Sequence, residues 1–299
     1  MAEIVLKEIT GCLGTPEPRS GHRCCATANH LLVYGGYNRH LDHKMFSEIL
    51  CYNMTSKQWT EVPNSRDFRT ESASCSMVLN EGALIIFGGS GYPFGYTSTN
   101  RTSLFSLSKL MWLDLDQGCS SPDTPVARYG QSMVLSKRDE WQRIYVLSGT
   151  IGEIFLDDIH YFDLLKRTWH QVKNISCPDA RYRHEVVSDD DYFYLFGGSI
   201  HGYSMFGFEE IQRFSFDQHK WTKLACQPAE NGLYPAPRKS HSCVLQNRDV
   251  YMCGGLSDFN VYCDDIWKVN LDDCVWRKLA VVMTLFNFNF NMQQNCIMS

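Results

Sequence analysis

Five tryptophans, Trp59, Trp112, Trp169, Trp221 and Trp276, recur at intervals of 53, 57, 52 and 55 residues, and this spacing limits the chain to a repeat architecture. Each is followed three residues later by an apolar partner: Val62, Leu115, Val172, Leu224 and Leu279. Upstream by 20 to 23 residues stands a glycine that closes a doublet in four copies: Gly35-Gly36, Gly88-Gly89, Gly197-Gly198 and Gly254-Gly255. The third copy has Ser148-Gly149 instead. A short apolar run precedes every glycine site, as in Leu31–Tyr34 and Phe193–Phe196. Glycine permits a bend with positive φ that a side chain would oppose. After the bend come a loop, a third strand such as Asp157–Asp163, and the tryptophan strand. Each unit therefore reads as four short antiparallel strands, with no helical period. One such sheet cannot bury both faces. Stacking the sheets radially does, with the indole filling the space between neighbours.

Four copies open on arginine: Arg19-Ser-Gly-His22, Arg128-Tyr-Gly-Gln131, Arg181-Tyr-Arg-His184 and Arg238-Lys-Ser-His241. The second copy departs, with Arg69-Thr-Glu-Ser72. The repeats are expected over about 19–66, 69–117, 128–174, 181–227 and 238–279, within one domain covering 1–279. Residues 4–9 precede the first arginine where a tryptophan strand stands elsewhere, and are expected to close the last blade by lending it an outer strand. The divergent tail 280–299 has no Gly-Gly and no Arg-x-x-His, so five recognisable blades and an incomplete sixth are expected, in a truncated or alternatively ended form.

Composition narrows the function class. Hydrophobic residues at 44% and aromatics at 13% suffice for a large core. A net charge of -5 without a long basic run offers no attractive field to nucleic acid or anionic membranes, so neither is expected as a partner. The N-terminus lacks a basic segment followed by an apolar one, and the longest apolar run, Leu279–Phe286, is too short to span a bilayer. Most of the thirteen cysteines sit singly in strand-like runs, no CxxC pair occurs, and Cys24 and Cys25 are adjacent. A zinc site is not expected. With the sequons at Asn53, Asn100 and Asn174 out of reach of glycosylation, a reducing cytosolic or nuclear compartment is expected.

The Gly-Gly…Trp pattern resembles the kelch repeat, whose period is about 50 residues. The resemblance implies an all-β, kelch-type β-propeller. Six stretches, Arg19–Cys24, Tyr34–Asn38, Phe87–Gly95, Arg181–Glu185, His241–Val244 and Asp265–Lys268, are also similar to kelch substrate receptors of cullin-RING ubiquitin ligases, over about Arg19 to Leu279. That likeness implies a non-catalytic protein-interaction module whose pocket captures peptide C-termini, degrons ending in a small residue such as glycine or alanine. It also implies an elongin–cullin adaptor bound by a helical box after the propeller. No such box is visible beyond Leu279.

In kelch propellers the loops entering the first strand and those after Gly-Gly surround the channel mouth. The third position of the Arg-x-x-His unit faces it, here Gly21, Gly130, Arg183 and Ser240. Arg183 is the charged one, and a guanidinium offers a fork of donors matching a carboxylate. A salt bridge to a neighbouring loop is the alternative. Arg128, Arg181 and Arg238 are candidates too, although a residue repeated in nearly every blade reads as an anchor. Tyr129 and Tyr182 follow leading arginines. Tyr37, Asn38, Ser90, Tyr92, Ser199 and Tyr203 follow glycine sites and complete the candidate pocket. The repeat histidines are expected to bond loop backbone. No cofactor and no metal are expected. A scaffold in cytoskeletal or trafficking complexes is the main alternative, and a galactose-oxidase-like copper site or a sugar-isomerising site a lesser one.

Overall fold

A computed structural model of the protein describes residues 3–6, 14–66, 71–116, 121–136, 142–200, 204–258 and 261–283. No helix occurs among them. Five antiparallel four-stranded sheets follow one another along the chain, as the repeat predicts. Blade one is Ser20–Ala26, His30–Asn38, Ile49–Asn53 and Gln58–Glu61. Blade two is Ser76–Asn80, Ala83–Phe87, Thr102–Ser106 and Met111–Asp114. Blade three is Ser132–Ser136, Arg143–Leu147, Ile159–Asp163 and Thr168–Gln171. Blade four is Glu185–Ser188, Tyr192–Phe196, Glu210–Ser215 and Lys220–Ala225. Blade five is Ser242–Gln246, Asp249–Cys253, Ile266–Asn270 and Trp276–Met283. The first strand of each blade lies innermost, and the tryptophan strand outermost.

Four buried clusters fill the spaces between successive blades. Leu32, Tyr34 and Ile49 meet Cys75, Leu84 and Phe105 between blades one and two, with Trp112 against them. Phe87 meets Met133, Val146 and Trp169 between two and three. Tyr145 and Leu147 meet Phe193 and Phe214 between three and four, with Trp221 alongside. Phe196 and Phe208 meet Met252 and Trp276 between four and five. Each of these four indoles packs toward the preceding blade. The Trp112 ring lies 5.7 Å from Tyr34, and Trp276 donates from Nε1 to the Phe208 carbonyl at 2.8 Å.

The fifth indole behaves differently. Trp59 contacts Tyr52 of its own blade at 5.0 Å, and among the described residues no buried cluster joins blade five to blade one. The expected sixth blade is not present among the described residues. The N-terminal strand Glu3–Leu6 adds instead to the fifth blade, in parallel with Ala280–Met283. The cause is the length of Trp276–Met283, the longest of the outer strands, whose second half extends past its partner Ile266–Asn270 and offers free backbone. Residues 7–9 of the expected closing strand lie outside the described residues, as do 284–299 of the tail.

Both residues of every glycine site have positive φ, Ser148 included at 58°. At the first site a close approach adds to this: a Cβ on Gly35 would lie 2.3 Å from the Ser72 carbonyl oxygen. In the first four sites the second residue donates its N–H to the carbonyl of the residue opening the next blade: Gly36 to Ser72, Gly89 to Arg128, Gly149 to Arg181 and Gly198 to Arg238. This corrects the register of the second copy. Its opening unit is Ser72-Ala73-Ser74-Cys75, three residues after Arg69, with serine in the place of arginine.

The fourth position of the unit is buried in blades two to five and half-buried at His22. Gln131 donates from its amide to the Phe87 carbonyl at 2.8 Å and to Ser76 Oγ at 3.1 Å. His184, at the same place in blade four, is fully buried with neither ring nitrogen bonded among the described residues, in contrast to the expected bond to loop backbone. Burial, with the charges of neighbouring arginines, pushes His22 down to about 4 and His241 to about 3, and holds His184 well below its ordinary range.

Two outcomes follow. Trp169→Ala removes a fully buried indole and should cost about 3–5 kcal/mol in urea unfolding; Trp59→Ala should cost less than half as much, since among the described residues it joins no buried cluster. The histidines make the fold acid-sensitive in a defined window. Below about pH 6.5 the unfolded chain takes up protons that the folded chain refuses, so stability falls as pH drops toward 4. With three such groups the slope should reach a few kcal/mol per pH unit near pH 5. His241→Gln, which copies Gln131, should flatten it by about a third.

Candidate functional site

The five opening units form three stacked rings at one end of the central shaft. First positions are anchors. Arg128 is fully buried, gives both guanidinium nitrogens to the Asp158 carboxylate, with Nη2 at 2.7 Å from Oδ2, and bonds the Ser148 carbonyl at 3.0 Å. Burial opposes ionisation of Asp158, but the bonds from Arg128 and His160 outweigh it and hold the carboxyl below its ordinary range. Arg238 pairs with Asp265 at 2.7 Å and bonds the Gly254 carbonyl at 3.1 Å. Arg181 bonds Gly197 and Asp179, both at 3.1 Å, and lies over the Phe206 ring. Arg19 repeats the pattern on Glu48 and Gly35. Arg128, Arg181 and Arg238 thus spend their donors inside their own blades, where they brace the glycine site, rather than at the mouth.

Second positions bridge the residue just after each glycine site: Ser20 with Tyr37, Ala73 with Ser90, Tyr129 with Thr150, Tyr182 with Ser199 and Lys239 with Leu256. The two sets of loop candidates are therefore one ring. Third positions all have positive φ, at Gly21, Ser74, Gly130, Arg183 and Ser240. They are joined by a backbone ladder in which Ser74, Gly130, Arg183 and Ser240 each donate to the carbonyl of the preceding member, at 2.7, 2.8, 2.9 and 2.9 Å. Arg183 and Ser240 are half-buried on this ladder.

Above the ladder runs a chain of rings. Tyr37 stacks on Phe94 at 5.3 Å with the planes 8° apart, and Phe94 meets Tyr129 edge-on at 5.2 Å. The Arg183 guanidinium lies 5.9 Å from the centre of Phe94 and 5.2 Å from that of Tyr182, while Phe155 supports Tyr182 from the side at 5.2 Å. Lys239 Nζ lies 5.9 Å from the Tyr182 ring. Arg183 makes no ion pair with any described residue, so the salt-bridge alternative is not found among them. It is a cation held among aromatic faces.

The other candidates divide. Ser90 is fully buried; its hydroxyl accepts from Gly95 N–H and donates to the Thr97 carbonyl, both at 2.8 Å. Its role is to shape the loop that presents Phe94. Asn38 donates to the Pro18 carbonyl at 2.7 Å and accepts from His40 N–H at 2.8 Å, which closes a turn. Tyr92 is exposed and pairs with His43 at 4.6 Å. Ser199 is fully buried beneath Tyr182. Tyr203 lies outside the described residues. Two members of the mouth escape the residue-by-residue reading. Lys239 occupies the repeat position of Tyr129 and Tyr182, a signal present in the alignment of the copies. Phe94 stands five residues past the glycine doublet in the longest loop of its kind, where the spacing carries no prediction.

Among the described residues no group of three or more His, Cys, Asp or Glu is placed to hold a metal ion. The KLHDC2/KLHL20/DRC7 Kelch-repeats domain matches residues 7–198 and again 95–286. Kelch domain-containing protein 10 of Homo sapiens is 34% identical over 281 residues, covering 90% of this chain and 62% of its own length. The Kelch domain-containing protein 10 homolog of Drosophila melanogaster is 31% identical over 308 residues, covering 93% of this chain and 49% of its own length. The chain thus spans less than two thirds of these curated relatives. Repeat, blades and matches agree: the chain belongs to the kelch-repeat family.

Proposed function

We propose that this propeller is a protein-interaction module that captures the C-terminal end of a peptide in its mouth, with Arg183 holding the terminal carboxylate. The observation that supports it is a half-buried guanidinium, unpaired with any described acid and set among Phe94, Tyr182 and Tyr129. A carboxylate has two coplanar oxygens that match the guanidinium fork, and each charge-assisted bond contributes about 1.5–3 kcal/mol. The aromatic walls keep water from competing for it, and their flat faces suit the last few backbone units of an extended chain. On the ladder Arg183 is flanked by Gly130, which has no side chain, and by Ser240, which has a short one, and this spareness favours a small last residue such as glycine or alanine.

A receptor of this kind delivers its ligand to other machinery. The similarity of the Arg181–Glu185 and Phe87–Gly95 stretches to kelch substrate receptors supports a role as the substrate-recognition part of a cullin-RING ubiquitin ligase. The elongin–cullin contact belongs to sequence beyond the blades, and the compartment of such a role is cytosolic or nuclear.

A random C-terminal peptide library, presented as free acid and as amide, tests the reading. Free acids ending in glycine or alanine should bind and their amides should bind at least about tenfold more weakly. Arg183→Ser, which copies the residue that Ser74 and Ser240 place in the same backbone conformation, should weaken the acid about 10- to 100-fold and leave the amide unchanged. Equal binding of acid and amide would exclude carboxylate capture and favour a scaffold that docks partners on the blade edges.

A further inference from the structure

One layer below the histidine and glutamine ring, the fifth positions of the opening units are Arg23, Ser76, Ser132, Glu185 and Ser242. Three are serines, and the small side chains leave the shaft open for the other two to meet across it. Arg23 of blade one reaches Glu185 of blade four, with Nη1 at 2.6 Å from Oε1. On the way it donates from Nε to the Cys75 carbonyl of blade two at 2.8 Å and from Nη2 to the Gln131 carbonyl of blade three at 3.5 Å. One guanidinium is therefore bonded to three other blades, and the two side chains are only 15% and 18% exposed. Glu185 lies two residues from Arg183, within about 7 Å along the chain.

We infer that this pair is the floor of the mouth: it plugs the shaft beneath the ladder, so that a chain end enters and a passing loop does not, and Arg23 cancels a Glu185 charge that would repel a carboxylate. The inference rests on the C-terminal reading and makes it more specific, because it assigns the depth and the net charge of the pocket to two residues that need not touch the ligand. Both act as positioning residues. With the pair intact the floor is neutral, and Arg183 sets the sign of the field in a site screened from water. Removing Glu185 alone leaves a second cation below the ladder; removing Arg23 alone leaves an uncompensated buried anion, the costlier defect.

The test uses a glycine-ended decapeptide, its amide, and the same peptide extended by three residues, titrated calorimetrically into the whole chain. On the wild type the extended peptide should bind at least about tenfold more weakly than the free acid, because the plug leaves no exit for the extra residues. Glu185→Gln should tighten the free acid about five- to tenfold and leave the amide unchanged; Arg23→Gln should weaken the acid by at least as much. The double variant, neutral again, should return to within about twofold of wild type. If Arg23→Gln does not fold, as judged by its melting curve, Glu185→Gln and the double variant decide. An acid affinity of Glu185→Gln that stays at the wild-type value, or an extended peptide that binds as well as the free acid, would overturn the inference alone. A wild type that does not distinguish acid from amide would remove the reading it rests on, and this inference with it.

Discussion

The architecture depends on one backbone contact repeated at each packed junction: the N–H of the second glycine-site residue meets the carbonyl that opens the next blade. A single bond of this kind contributes only about 1 kcal/mol net. Its importance is geometric. It accompanies positive φ at two successive residues, leaves no room for a Cβ at Gly35, and sets the distance at which neighbouring sheets can exchange side chains. The indoles and aromatic clusters then have a fixed gap to fill. The third-position ladder is a second run of the same contact type, one layer further in, and it holds Arg183 by its backbone whatever its side chain does.

Position within the repeat assigns the work. In four blades the first position braces the glycine site through an arginine paired with an acid. Second positions form the rim, third positions the ladder, fourth positions a buried polar layer and fifth positions the inner wall. Where all blades agree, the residue is holding the fold. Charge collects where one blade departs. Arg183 stands among glycines and serines, Lys239 among tyrosines and small residues, and Arg23 and Glu185 among serines. Each departure places charge near an axis that the repeat otherwise leaves neutral, and a charge there is shielded from water by five surrounding sheets.

The ring is not uniform around its circumference. Four junctions carry a buried cluster and a glycine-site bond, whereas a Cβ on Gly254 of blade five would meet nothing within 4 Å. The inner strand of that blade exposes Val244, and that of blade one exposes Cys24. Blade one is tied to the rest at this side by a different device, the Arg23 guanidinium crossing the shaft to blade four. A cross-shaft ion pair and an N-terminal strand laid on blade five supply part of the cohesion that a fifth packed junction would provide.

Much of this was legible beforehand because a repeat states its own geometry. The tryptophan spacing, the doublets and the apolar strand before each doublet determine the five repeats, the strand order within each and the sites of positive φ, since each follows from local backbone sterics and a period; the incomplete sixth blade expected from the tail is not present among the described residues. The fate of Arg128, Arg181 and Arg238 was legible as well, as anchors, because repetition demands a repeated contact. Only the tertiary structure decided the rest. The register of copy two could not be read, because Ser72 replaces the arginine that marks the others and the bond from Gly36 identifies it. The attachment of the N-terminal strand to blade five depended on which distant strand had spare backbone. Phe94 reaches the mouth, and Arg23 reaches Glu185, through loop shape and radial closure that bring residues 162 apart into contact. Sequence period encodes what each blade does to its neighbour; what meets across the axis is set by all of the blades at once.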